Sequence, residues 1–200
     1  MEDGARMSFF PMFIEMNRLP VLVIGGGMVA LRKVETLSSF GARICVVAPQ
    51  FCEGFNSACE EGLKVEMKRR NFHPADLDGI KLAVAATSEI EVNRLAADEC
   101  RKRNIPINVV DVPQLCDFFF PAVVKRGDLA VGISSGGGAP ALCGRLREYL
   151  DNRLPRDLEE DLQKIAALRK SLLDDGARPA EDQGYLEMID RLMDRIRNNG

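Results

Sequence analysis

A chain of 200 residues with 46% hydrophobic and 28% charged residues has the composition of a folded domain with one sizeable core and a smaller appendage, which excludes a wholly disordered protein. Its formal net charge of −3 provides no basic field for nucleic acid, and no apolar run is long enough to span a membrane. The polar first six residues and the short, interrupted apolar run after them do not read as a secretory signal.

In chain order, residues 12–16 and 19–24 read as two strands joined at Asn17-Arg18. Val21-Leu22-Val23-Ile24 suits a strand buried on both faces, and residues 28–40 carry Val29, Ala30, Val34 and Leu37 at helical spacing. Between them, Gly25-Gly26-Gly27 with Ala30 fits the pattern G-x-G-x-x-G/A. In that pattern Gly25 and Gly27 let backbone N–H groups approach a pyrophosphate, and the small Ala30 lets the helix pack closely on the strand. Gly41 suits the helix C-terminus.

Residues 43–47 and 82–86 are further apolar strands, so this part is α/β: a Rossmann-like dinucleotide-binding domain with a parallel sheet. The acidic residue that commonly follows the second strand and bonds the adenosine ribose is replaced by Ala48-Pro49-Gln50. No arginine lies in that stretch to hold a 2′-phosphate, so the motif leaves NAD and NADP open, with ribose contacts assigned to backbone groups around Pro49 and Gln50. Glu53 reads as a solvated loop acid, and His73, before Pro74 in a polar loop, as a surface residue.

Residues 91–104 read as a helix with Val92, Leu95, Ala96 and Cys100 on one face, followed by a strand over residues 105–110 that Asp111 and Pro113 end. Open α/β sheets bind ligands beyond the carboxyl ends of their strands, which turns Thr87, Asn108 and Asp111 toward the cofactor cleft. Asp111 carries two readings of equal standing: a turn residue, or a carboxylate that moves a proton or orients a substrate. The six cysteines form no C-x-x-C pair and have no histidine at ligand spacing, so they read as incidental thiols of a reducing cytoplasm and no metal site is expected.

Residues 118–124 and 129–133 read as a hairpin around Lys125-Arg126-Gly127-Asp128, outside the nucleotide domain. Ser134-Ser135-Gly136-Gly137-Gly138 then leads into a helix over residues 140–150 with Pro140 in its first turn. The N–H groups of this loop, with Arg145 and Arg147 nearby, suit carboxylates; a flexible surface turn has the same composition. Leu158, Leu162, Ile165, Leu168 and Leu172 form one helical stripe, and Leu186, Ile189, Leu192, Met193 and Ile196 another, as in helices that complete a fold or a dimer. The expected division is residues 1–113 as the Rossmann-like domain, 114–150 as a small α+β dimerisation and substrate-loop segment, and 151–200 as a C-terminal helical domain.

The ordered set Gly-Gly-Gly-x-Val-Ala-x-Arg-Lys (to Lys33), Ala85-Ala86-Thr87, Asn108-Val109-Val110-Asp111, the Phe-Pro-Ala segment ending at Ala122 and Ser134-Ser135-Gly136-Gly137 resembles the precorrin-2 dehydrogenase and ferrochelatase family in its stand-alone form. The resemblance covers roughly residues 10–173 and implies oxidation of precorrin-2 to sirohydrochlorin with NAD as hydride acceptor. In some members it also implies insertion of Fe2+ as co-substrate. It further implies that Asp111 is the catalytic base and that Gly25, Gly27, Met28, Val29, Ala48, Pro49, Gln50, Thr87 and Asn108 line the cofactor. Ser134, Ser135, Gly136, Gly137 and Arg145 would hold the carboxylate-rich macrocycle, and the protein would be a homodimer. The alternative, a non-catalytic NAD-sensing regulatory module, needs neither Asp111 nor the second glycine-rich loop.

Overall fold

Strand β1 (Pro20–Ile24) has no exposed side of consequence: Val21, Leu22 and Val23 have no solvent-accessible surface. That burial needs cover on both faces, and the chain supplies it by crossovers between parallel strands. Helix α1 (Met28–Ser38) turns Ala30, Leu31, Val34 and Leu37 inward and packs on β1 and β2 (Arg43–Ala48). Helix α2 (Glu53–Glu60), strand β3 (Val65–Arg69), strand β4 (Leu82–Ala85), helix α3 (Ile90–Lys102) and strand β5 (Ile107–Val109) complete a five-stranded parallel sheet of order β3-β2-β1-β4-β5. Leu22, Ile24, Val47, Ala83 and Ala85 share one core cluster with Ala96, Ala97 and Cys100 of α3. By the period of two along a strand, Val21, Val23, Val46 and Val84 line the opposite face, the side that α1 covers.

This computed structural model describes residues 9–199, which form two compact units: residues 12–119, just described, and residues 120–199 with residues 9–11. In the second unit, β6 (Ala122–Arg126) and β7 (Leu129–Ile133) form an antiparallel hairpin against α4 (Pro140–Arg153). Its turn is shorter than expected, because Arg126 pairs with Leu129 and only Gly127-Asp128 remains between the strands. Gly127 has a φ of +55°, the conformation the first central position of a two-residue hairpin turn reserves for glycine. Helices α5 (Leu158–Asp174) and α6 (Gln183–Asn198) pack on each other, and Arg195 joins them through ion pairs to Asp157 and Asp161. Among the described residues, no helix is long and apolar enough to cross a membrane.

Several expectations are corrected. Residues 12–16 form no strand: Met12, Phe13 and Ile14 are exposed and find no partner in the sheet. Glu53 opens α2 instead of standing in a loop, and β3 was hidden by its charged edge-strand composition, Val-Glu-Met-Lys-Arg. On α3 the buried residues are Asn93, Ala96, Ala97 and Cys100, whereas Leu95 is 43% exposed. On α6, Leu186 and Met193 stand out of the stripe and Tyr185 and Met188 are half-buried in their place.

A buried carboxylate anchors the edge of the sheet. Asp76 lies in the single 3-10 turn before β4, where it accepts both guanidinium donors of Arg70 and the backbone N–H of His73 (2.9 Å). The Arg70 guanidinium, helped by that N–H and by Lys68, holds its carboxyl below the usual carboxylate range against the opposing effect of burial.

Candidate active site

The order of the sheet reverses between β1 and β4, and a switch point of this kind opens a crevice beyond the strand ends. A cavity of about 390 Å³ occupies that place. Gly27 and Val29 come to it from the β1–α1 turn, Ala86 and Thr87 from the end of β4, Asn93 from α3, and Val110, Asp111 and Val112 from the end of β5.

Each glycine of the first turn has a different reason to be there. A Cβ on Gly25, whose φ is +129°, would stand 2.3 Å from the carbonyl oxygen of Ala86, and one on Gly26 would stand 2.0 Å from that of Gln50. A Cβ on Gly27 would meet nothing within 4 Å. Gly25 and Gly26 therefore close the turn against the two neighbouring loops, while Gly27 leaves the approach to α1 clear. Gly27 precedes helix α1 with no side-chain cap, and the first turn holds no acidic residue, so nothing there competes with a pyrophosphate for the first N–H groups of the helix. Hydrogen bonds from Gly25 N–H to the Val47 carbonyl (2.9 Å) and from Cys52 N–H to the Gly26 carbonyl (2.8 Å) fasten the turn to the end of β2. This arrangement fits a dinucleotide.

Around it, Met28 and Val29 are 52% and 43% exposed, apolar surface at the mouth of the crevice, with Met28 Sδ 3.5 Å from Cys52 Sγ. Ala48 is buried, and Pro49 and Gln50 are exposed beyond β2. Thr87 is held by Asn93: the Asn93 amide donates to the Thr87 carbonyl (3.0 Å), and the Thr87 hydroxyl lies 3.0 Å from Asn93 Oδ1 while accepting the Glu89 N–H (3.1 Å).

Asp111 is a turn residue and also part of the cavity wall. It stands in the turn after β5 with a φ of +60°, a conformation that aspartate tolerates better than most residues, and it lines the cavity. The turn is held from below. Cys116 Sγ accepts the Val109 N–H (3.2 Å) and donates within reach of the Val109 and Val112 carbonyls, and Asp117 accepts the Ile107 N–H (3.0 Å). Asn108 belongs to this support: it is buried, its amide donates to the Phe118 carbonyl (2.9 Å), and it is absent from the cavity wall.

Sequence reasoning missed Asn93 and Lys33. A polar residue on the buried face of α3 gives no signal in a search for apolar spacing. Lys33 lies one helical turn beyond Val29 on the same face of α1; burial pulls its ammonium below the ordinary lysine range, and the Asp111 carboxylate pulls it the other way.

The second glycine-rich loop lies in the other unit. Residues 134–138 are exposed, Gly136 and Gly137 have φ of +62° and +84°, and neither would meet anything within 4 Å through a Cβ. The Ser134 and Ser135 hydroxyls accept the N–H groups of Gly136 (3.2 Å) and Ala139 (2.9 Å) and keep their protons to donate. Helix α4 starts with no side-chain cap and no acid in its first turn, and Arg145 on it is exposed. A larger cavity in this unit, about 680 Å³ between α4 and α6, is lined by Asp151, Asp157, Asp194, Arg191 and Arg195. Of its arginines, Arg191 and Arg195 are already paired with carboxylates of the same unit.

Residues 12–122 match the family described as "Putative NAD(P)-binding". The siroheme synthase of Methylobacillus flagellatus is 42% identical over 149 residues, 74% of this chain and 32% of that protein. Siroheme synthase 1 of Cronobacter sakazakii is 42% identical over 152 residues, 76% of this chain and 32% of the relative. The chain thus spans about a third of the length of these relatives. The solved structure of SirC, precorrin-2 dehydrogenase, covers 95% of this chain with a TM-score of 0.65 at 23% identity, and shares its fold.

Proposed function

We propose, from the premise that this chain belongs to the family described as "Putative NAD(P)-binding", that it is a precorrin-2 dehydrogenase, oxidising precorrin-2 to sirohydrochlorin in siroheme biosynthesis. The observation that carries the reading is the position of Asp111 in one cavity wall with Gly27 and Thr87, at the switch point of a parallel sheet.

NAD supplies the hydride acceptor. Gly25, Gly27, Met28, Val29, Ala48, Pro49, Gln50 and Thr87 hold it, and the first N–H groups of α1 receive its pyrophosphate. Asn93 fixes Thr87 and Asn108 fixes the turn that carries Asp111. Asp111 accepts the proton that the macrocycle loses with its hydride, and Lys33 on α1 lies within electrostatic reach of that carboxylate. Ser134, Ser135, Gly136, Gly137 and Arg145 bind the substrate's carboxylates, a reading supported by the open backbone of the loop and the uncapped start of α4.

The protein works as a homodimer. Leu142, Leu146 and Tyr149, 54%, 41% and 56% exposed at helical spacing along α4, support a covered surface there. The six free thiols fit a reducing cytoplasm.

Anaerobic incubation with precorrin-2 and NAD, followed by NADH and sirohydrochlorin absorbance, tests the reading; NAD binding without NADH formation would leave the regulatory-module reading instead. Adding Fe2+ to the product then tests for metal insertion, in which Asp111 would take the pyrrole protons.

A further inference from the structure

Arg69 is far from the glycine turn in sequence, yet the register of the parallel sheet puts it directly beside Ala48, the last residue of β2. Partners in neighbouring strands point to the same face, and the face of Ala48 is the one against which Gly26 packs: a Cβ on Gly26 would stand 3.0 Å from that of Ala48. The stretch after β2, which reads as lacking an arginine in sequence, thus gains one from the next strand.

The side chain is aimed, too. The Arg69 guanidinium lies over the ring of Phe51, 5.1 Å from its centroid, and Phe51 in turn meets the fully buried Phe55 edge-on at 5.2 Å. A cation–π contact of this kind holds the guanidinium near the end of β2 without using up its N–H donors, which can hold a phosphate bidentately. The flanking cations are engaged elsewhere: Lys68 with Glu66 and Asp76, Arg70 with Asp76. Among the described residues, no carboxylate pairs with Arg69.

A carboxylate at the end of β2 would bond the adenosine ribose hydroxyls and repel a 2′-phosphate; here that position offers only Ala48, Pro49 and Gln50. We propose that Arg69 is a specificity-determining residue, and that this cleft seats a phosphate on the adenosine ribose, so that it binds a 2′-phosphorylated dinucleotide as well as the unphosphorylated one. The proposal rests on the dinucleotide reading of the glycine turn.

Calorimetric titration of the full chain with NAD and with NADP tests it, on the unaltered protein and on Arg69→Gln. Affinities for the two dinucleotides within about tenfold of each other are expected, and Arg69→Gln should weaken NADP by about tenfold or more while changing NAD by less than about twofold. Salt should weaken NADP more steeply than NAD in the unaltered protein only. NAD binding with NADP bound about a hundredfold more weakly, or with equal losses for both dinucleotides in the variant, overturns the proposal and leaves the cofactor site standing. Binding of neither dinucleotide overturns both.

Discussion

The two units of this chain use their apolar residues differently. In residues 12–119, strands β1, β2, β4 and β5 are sealed between helices, and side chains such as Val21, Leu22, Val46 and Val84 have no accessible surface. In residues 120–199 the buried apolar side chains are Val124, Cys143, Pro155 and Leu158, while Leu142, Leu146, Tyr149, Leu173, Leu186 and Met193 are exposed. Both units expose apolar side chains, Met28, Val29, Ile90 and Leu95 among those of the first, but only the first has beneath them the core of a domain that stands alone; the second has few buried apolar side chains, as an element completed by a second copy would. A sheet carrying the proposed reactive carboxylate in one unit, and association through the other, is the division of labour we propose.

The largest effect should come from the chemistry of the first unit. Asp111→Asn is expected to lower the NADH formation rate about 10²–10⁴-fold with NAD affinity nearly unchanged, as steady-state rates and calorimetry would show. Full activity in that variant would remove the reason to locate the reaction on this unit.

Next, Leu22→Ala should destabilise the fold by about 2–5 kcal/mol in urea unfolding, independently of protein concentration. Ile165→Ala, half-buried in α5, should lose only about 1 kcal/mol, and more in dilute solution if association orders this unit. Equal losses would break the contrast between the units.

Asp76→Asn is expected to be destabilising by about 1–3 kcal/mol at neutral pH, less than a fully buried pair because Arg70 is half-exposed. Since the folded-state carboxyl titrates below its unfolded value, its contribution is present above about pH 4 and is lost as the pH falls through the folded-state value. The stability curves of the two proteins should therefore converge in acid. The smallest expected effect on local folding is that of Leu146→Asp, within about 0.5 kcal/mol, yet sedimentation should show it shifted toward monomer.

The β1–turn–α1 unit was legible because strand burial on both faces and helical spacing leave period signals that survive in a single sequence. Strand β3 and helix α2 were not: one carries Glu66, Lys68 and Arg69 on an edge, and the other buries only Phe55. Asp111 was legible as a strand-ending aspartate at the cleft, and it stands both in the turn and in the cavity wall. Asn93, Lys33 and Arg69 stayed invisible for a common reason. Each acquires its neighbour through packing or register between distant segments, which no local pattern encodes.

The left-handed backbone at Asp111 acts as a filter on replacement before any proton is moved. Only glycine, asparagine and aspartate enter that region readily; other residues meet a steric penalty of about 1–2 kcal/mol there. Losing the carboxylate to asparagine therefore leaves the loop undisturbed, whereas moving it one methylene further, with glutamate, strains the backbone and misplaces the charge together. Under the proposed role of Asp111, a drifting sequence meets this position as an all-or-nothing choice, with silent but folded variants on one side and the acid itself on the other.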